Sequence, residues 1–152
     1  FFARLNPAAR LFGAAFVLQA LLFAVVALRR RVAFRLSPSL RAWIGVALVA
    51  YAAVGYPLLG AALGHGYPRA PMFGVAPCPT TIFTFGVLLL ASDAVPRWLL
   101  AVPLAWSIVG ASAALQLGMR EDLALVAAGV LGAVFLLPRR TSQDAPASPE
   151  RR

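Results

Sequence analysis

The single histidine and the single cysteine of the chain, His65 and Cys78, stand in one glycine- and proline-rich run, Gly64–Gly86, with the sequence GHGYPRAPMFGVAPCPTTIFTFG. Imidazole and thiolate together are metal ligands. A thiol beside an imidazole base is also the minimum of a nucleophilic site. Neither reading is complete on these two residues. A closed zinc site takes four ligands, so Glu121 and Asp122 would have to be drawn in. The plainer alternative leaves His65 and Tyr67 at a water interface and Cys78 packed as a small hydrophobe. Prolines on both sides of Cys78 would hold it rigidly, with few backbone donors nearby for an oxyanion hole.

The same run carries Tyr67, Arg69, Thr80 and Thr81. A threonine after proline is a ready helix N-cap. Thr80 and Thr84 would share a helical face and could line a polar crevice with Gln116. Glu121 and Asp122 open the last apolar stretch, where acids complement the helix dipole. The candidate cluster is therefore His65, Tyr67, Arg69, Cys78, Thr80, Thr81, Glu121 and Asp122, with no catalytic role assigned to any of them. No cofactor is expected; a metal held by His65 and Cys78 is the alternative.

What must position these residues is almost entirely apolar. The stretches Leu11–Leu28, Ala42–Leu63, Thr80–Ser92, Trp98–Leu117 and Leu123–Leu137 contain no charged residue. A hydrocarbon core of about 30 Å takes about 20 helical residues. The first, second and fourth stretches have 18, 22 and 20. The last is shorter but is flanked by Glu121, Asp122 and Pro138. The third has only 13, and reaches full length by borrowing Pro77–Pro79 or running on towards Val95; a re-entrant segment is the alternative. A soluble helical core would need polar faces at helical spacing, and a β-barrel would need short alternating segments; neither pattern is present. The expected fold is an all-α polytopic membrane bundle of about five transmembrane helices.

Charge sets the expected orientation. The formal charge of +9 comes from arginine alone, placed at the ends of the apolar stretches rather than on one face. This argues against nucleic acid and for a topology rule that keeps positive charge in the cytoplasm. Arg29, Arg30, Arg31, Arg35 and Arg41 place the loop 29–41 inside. Alternation then puts Gly64–Pro79 and Gly118–Asp122 outside, and Arg97, Arg139 and Arg140 inside. Trp43 and Trp98 follow arginines where an interfacial aromatic belt would lie. The expected location is a bacterial cytoplasmic membrane, with the lipid bilayer as partner. One cysteine excludes an internal disulfide.

Pro57 and Pro103 lie within apolar stretches and remove backbone bonds to Ala53 and Leu99, so both helices should kink. The freed carbonyls then need other partners. Gly60 and Gly64, and on the fourth stretch Ser107 with Ala111 and Gly110 with Ala114, form rows of small residues that permit close helix approach, within the chain or to a second copy or membrane partner through Gly60 and Gly64. No ionisable residue lies deep inside an apolar stretch, which argues against an ion-coupled pump. The chain divides into an interfacial segment 1–10, a helical domain 11–138 with a structured outer loop 64–79, and a polar tail 139–152, read as disordered and cytoplasmic.

The segments YPLLGAALGHGYPRAPMFGVAPCPTTIFTFG (Tyr56–Gly86), LNPAARLFG (Leu5–Gly13) and GMREDLALVAAGVLG (Gly118–Gly132) resemble a family of bacterial multi-pass membrane proteins, domain of unknown function 6064. The resemblance runs from Leu5 to about Leu137. It implies further transmembrane helices before Phe1, in keeping with a chain that does not begin with Met, and it implies no activity. Three functions remain open: permease-like handling of a small solute, a structural or accessory membrane subunit, and a membrane-embedded enzyme or metal site using His65 and Cys78.

Overall fold

Prolines, serines and a few glycines decide where the helices begin, bend and meet. The computed structural model describes residues 7–30, 32–35, 37–64, 72–117 and 120–137; the side chains of 7–9 and 113–117 fall outside that description. Five helices follow in order. Helix α1 is Pro7–Leu28, with its proline at the start, where a missing N–H costs nothing. Helix α2 is Leu40–Ala62. Ser39 caps it, its hydroxyl accepting from the Ala42 N–H at 3.3 Å. Helix α3 is Pro77–Leu89. Helix α4 is Ala101–Leu117, led in by a 3₁₀ turn at Arg97–Leu100. Helix α5 is Leu123–Leu136, led in by a 3₁₀ turn at Arg120–Asp122. No strand occurs among the described residues; the nearest approach is an isolated antiparallel bridge, Phe34 to Ala91.

The short third apolar stretch is the centre of the molecule. Helix α3 packs against α2, α4 and α5 together. Ile82, Phe85 and Leu88 on it are fully buried, and Leu99, Leu100, Leu125 and Ala128 complete the core around them. The stretch borrows Pro77–Pro79 at its start, but ends at Leu90 and does not run on to Val95. At 1.5 Å per residue it is about 20 Å long, shorter than a hydrocarbon core. Among the described residues, helices α1 (from Arg10) and α2 are the two that are long and apolar enough to cross a membrane.

Helices α2 and α3 touch backbone to backbone. A Cβ added at Gly86 would lie 2.9 Å from the Gly45 carbonyl oxygen, and one at Gly45 would lie 2.8 Å from the Gly86 carbonyl oxygen. Gly60 is buried within the chain. Gly64 stands beyond the end of α2 at φ +91°, in the left-handed region where a helix commonly terminates on glycine. The two are therefore not a row on one helix.

Both prolines act, each in a different way. Before Pro57, α2 widens into a π turn at Tyr51–Gly55, and the Tyr56 N–H bonds to the Tyr51 carbonyl five residues back. The wider turn accommodates the ring that would otherwise press on the Ala53 carbonyl. Pro103 instead sits in the first turn of α4. The carbonyl it leaves free, that of Leu99, accepts from Gln19 Nε2 of α1 at 3.2 Å. Gln19 is 4% exposed, and its Oε1 is buried without a partner among the described residues. Gln19→Leu strands the Leu99 carbonyl but also removes that dry oxygen. The expected loss is therefore at the low end for a buried polar group, about 1 kcal/mol, read from thermal unfolding in detergent.

The ends of the bundle are tied separately. At one end the loop 32–35 is stitched to the turn after α3. The Arg35 N–H donates to the Leu90 carbonyl at 3.2 Å, and the Ser92 N–H to the Ala33 carbonyl at 2.8 Å. The Ala33 N–H donates to Asp93 Oδ2 at 2.8 Å. At the other end the turn ahead of α5 meets α2 and the start of α3.

Candidate functional site

Tyr56 and Cys78 converge on Asp122 from two helices, and Tyr51 and Trp106 stand around them. The π turn supplies two of them. In an α-helix, residues five apart point about 140° away from each other. A turn closed five residues back sets them one above the other, so Tyr51 and Tyr56 face the same way, with ring centroids 6.1 Å apart and edge to face. The Tyr51 hydroxyl donates to the Glu121 carbonyl at 3.0 Å, and the Tyr56 hydroxyl to Asp122 Oδ1 at 2.5 Å. Pro77 at the first position of α3 fixes the start of that helix and sets the Cys78 thiol, directly after it, beside Asp122. Helix α4 brings the Trp106 indole up to Cys78. Its Nε1 is buried and makes no well-formed hydrogen bond among the described residues. Phe12 of α1 packs on the Trp106 ring at 5.3 Å between centroids.

The two acids are not interfacial charges. Glu121 is 0% and Asp122 5% exposed. Asp122 stands at the cap position of α5 but makes no side-chain cap bond, its carboxylate being turned to Tyr56 instead. Burial pushes the Asp122 carboxyl above the usual aspartate range, and the neighbouring Glu121 pushes the same way. The Tyr56 hydrogen bond and the adjacent Cys78 thiol pull it down without reversing this. Asp122 thus holds its proton to higher pH in the folded chain than in the unfolded one. It favours folding fully below the ordinary aspartate value of about 4, and that contribution is lost as pH rises through its folded value. Stability is expected to fall with rising pH across that window, and Asp122→Asn to flatten the dependence. Unfolding temperatures measured in detergent from pH 4 upward check this.

Of the residues singled out in the sequence, Cys78 and Asp122 are brought into contact, with Glu121 beside them. Thr80 is not an N-cap. The helix starts three residues earlier, at Pro77, and the Thr80 hydroxyl instead donates to the Ala76 carbonyl at 2.6 Å and accepts from the Gly74 N–H at 3.0 Å. It closes the turn that leads into α3. Thr81 is 1% exposed, and its hydroxyl oxygen has no partner among the described residues. The Thr84 hydroxyl donates back to the Thr80 carbonyl at 2.8 Å. His65, Tyr67 and Arg69 lie outside the described residues, as does the side chain of Gln116. Among the described residues, no three of His, Cys, Asp and Glu converge closely enough to hold a metal ion. Nothing in the sequence alone marks Tyr51 or Trp106 for a chemical role. The one clue to Tyr51 is a pair of tyrosines five apart, just ahead of a mid-helix proline, and Trp106 has none.

Over the described residues, fold and site together define an all-helical protein in which two helices are long and apolar enough to cross a membrane and a buried acid, two tyrosines and a thiol meet at one end of the bundle. The chain belongs to the family of unknown function DUF6064, whose model matches residues 1–147. No curated protein and no solved structure matches it.

Proposed function

We propose that the protein is a multi-pass protein of the bacterial inner membrane, with the loop 29–41 in the cytoplasm, and that it handles a small solute at the Asp122 cluster in a permease-like manner. Exposed side chains support the membrane setting. Leu11, Leu28, Trp43, Leu58, Ile108 and Val130 are each more than half exposed and come from four different helices. A water-soluble monomer does not present apolar surface on that scale. The two ends of the bundle support the orientation: the arginine-bearing loop and the turn after α3 share one end, and the Asp122 turn lies at the other.

One observation carries the functional part. Tyr56, which holds Asp122, lies six residues inside the outer end of α2, about 9 Å by helical rise. The acids lie outside the apolar stretches in sequence but fold inward, buried, to meet the hydroxyls of Tyr51 and Tyr56. An ionisable group recessed among membrane helices marks a pathway for solute or protons by default. The π turn beside it is a device found often at functional sites.

Cys78 reports on the cluster directly. A membrane-impermeant maleimide added to intact cells should label it, and a transported solute from a panel of sugars, amino acids and amines should slow the labelling. Asp122→Asn should remove the protection. If no solute slows the reaction, and proteoliposomes take up none above the protein-free level, the proposal fails.

A further inference from the structure

At the arginine-bearing end, a cleft of about 180 Å³ opens between the start of α2 and the end of α3. Arg35, Arg41, Ser37, Ser39 and Ser92 line it. Its walls are fixed by the backbone bonds that join residues 33–35 to Leu90 and Ser92. Arg41 spends one terminal nitrogen on the Leu88 carbonyl at 3.3 Å, while its Nε is buried with no acceptor among the described residues. Ser39 uses its oxygen as a cap acceptor and keeps its proton to donate. The Ser92 hydroxyl donates to the Ala33 carbonyl and is already engaged. Asp93, next to Ser92 in sequence, does not line the cleft, and its carboxylate is held by the Ala33 N–H. The cleft thus joins two guanidinium groups, two serine hydroxyls and a helix N-terminus, with no acid among its lining residues. Such a set recognises a phosphate group.

A second feature adjoins it. An apolar groove of about 370 Å³, floored by Pro38, Trp43 and Val46, shares Ser37 and Ala42 with the cleft. Trp43 is 68% exposed there. A charged cleft continuous with an apolar groove on a helix flank matches one ligand class: a phosphate ester with a hydrocarbon chain. We infer that this site binds an anionic phospholipid, its phosphate held by Arg35, Arg41, Ser37 and Ser39 and one acyl chain lying along Trp43 and Val46. The inference rests on the membrane reading above. It gives Arg35 and Arg41 a recognition role beyond setting topology.

The test uses the full chain in mild detergent micelles, with tryptophan fluorescence quenched by phospholipids brominated on the acyl chain. Brominated phosphatidylglycerol is expected to quench at lower mole fraction than brominated phosphatidylcholine. Arg35→Gln is expected to weaken phosphatidylglycerol binding about tenfold, the loss of one charge-assisted contact, and to leave phosphatidylcholine unchanged. Arg41→Lys keeps the charge while losing the fork, so it covers the case in which a neutral residue at 41 misfolds. Trp43→Phe should remove most of the lipid-specific quenching. Equal quenching by the two lipids, or wild-type affinity in Arg35→Gln, overturns the inference. Displacement by millimolar inorganic phosphate with no lipid preference also overturns it, since the site is then one for a free ion. Recovery of the chain without detergent in the soluble fraction refutes the membrane reading itself. A membrane-extracted protein without lipid preference refutes only this site.

Discussion

Gly86→Val is expected to abolish recovery of folded protein. A Cβ at position 86 would stand 2.8 Å from Val49 Cγ2, 2.9 Å from the Val49 backbone nitrogen and 2.9 Å from the Gly45 carbonyl oxygen. Two of these three neighbours are backbone atoms, so no change of rotamer relieves the clash. Overpacking that side chains can absorb costs about 1–3 kcal/mol. Here α2 and α3 must separate, and α3 is the helix against which α2, α4 and α5 all pack. The expected cost is about 3 kcal/mol or more, a large share of the roughly 5–15 kcal/mol that holds a domain folded. Gly13→Ala is the matching control, because no neighbour lies within 4 Å of a Cβ there. It should be neutral, or stabilising by about 0.5–1 kcal/mol through helix propensity. Size-exclusion profiles and melting temperatures in detergent separate the two variants. A Gly86→Val protein that elutes and melts like the wild type would show that the helices do not meet as described.

The helices were legible in the sequence because charge-free apolar runs bounded by arginine, proline and acid residues have few other solutions. Their ranking was not. Thr80–Ser92 looked the weakest segment, since hydropathy measures length and not neighbours. Its 13-residue helix is the one enclosed on several sides, and when lipid and core are equally apolar, composition does not distinguish them. The prolines announced lost bonds but not their remedies. The π turn at Pro57 goes with the partners that Tyr51 and Tyr56 find in the turn Arg120–Asp122, some 70 positions on. The partner of the Leu99 carbonyl is Gln19, 80 positions away, beyond any local pattern. Thr80 lost the cap position because Pro77 is suited to the first helical turn, and the helix starts there. At the candidate site, Cys78, Glu121 and Asp122 were readable as groups on one side. Their burial was not, because an acid at the edge of an apolar run looks interfacial until the turn folds inward.

Tyr56→Phe is the sharpest probe of whether that inward fold matters. The phenol ring is 1% and Asp122 5% exposed, so deleting the hydroxyl leaves a carboxylate oxygen buried with one fewer donor. A buried polar group so stranded costs about 1–3 kcal/mol, more if it stays ionised. Asp122→Leu should cost a similar amount by stranding the tyrosine hydroxyl. The double variant should cost clearly less than the sum, because neither polar group is then left behind. A coupling of about 1–3 kcal/mol between the two positions is the expected result, read from denaturant or thermal unfolding of the four proteins. The thiol gives an independent reading. Cys78 shares Asp122 with Tyr56, so in Tyr56→Phe the carboxylate remains beside the thiol, whereas in Asp122→Leu it is gone. Maleimide should therefore react faster with Cys78 in Asp122→Leu than in Tyr56→Phe. Zero coupling with equal thiol reactivity in both would reduce the cluster to chance proximity, and the recessed acid would lose its claim to a role.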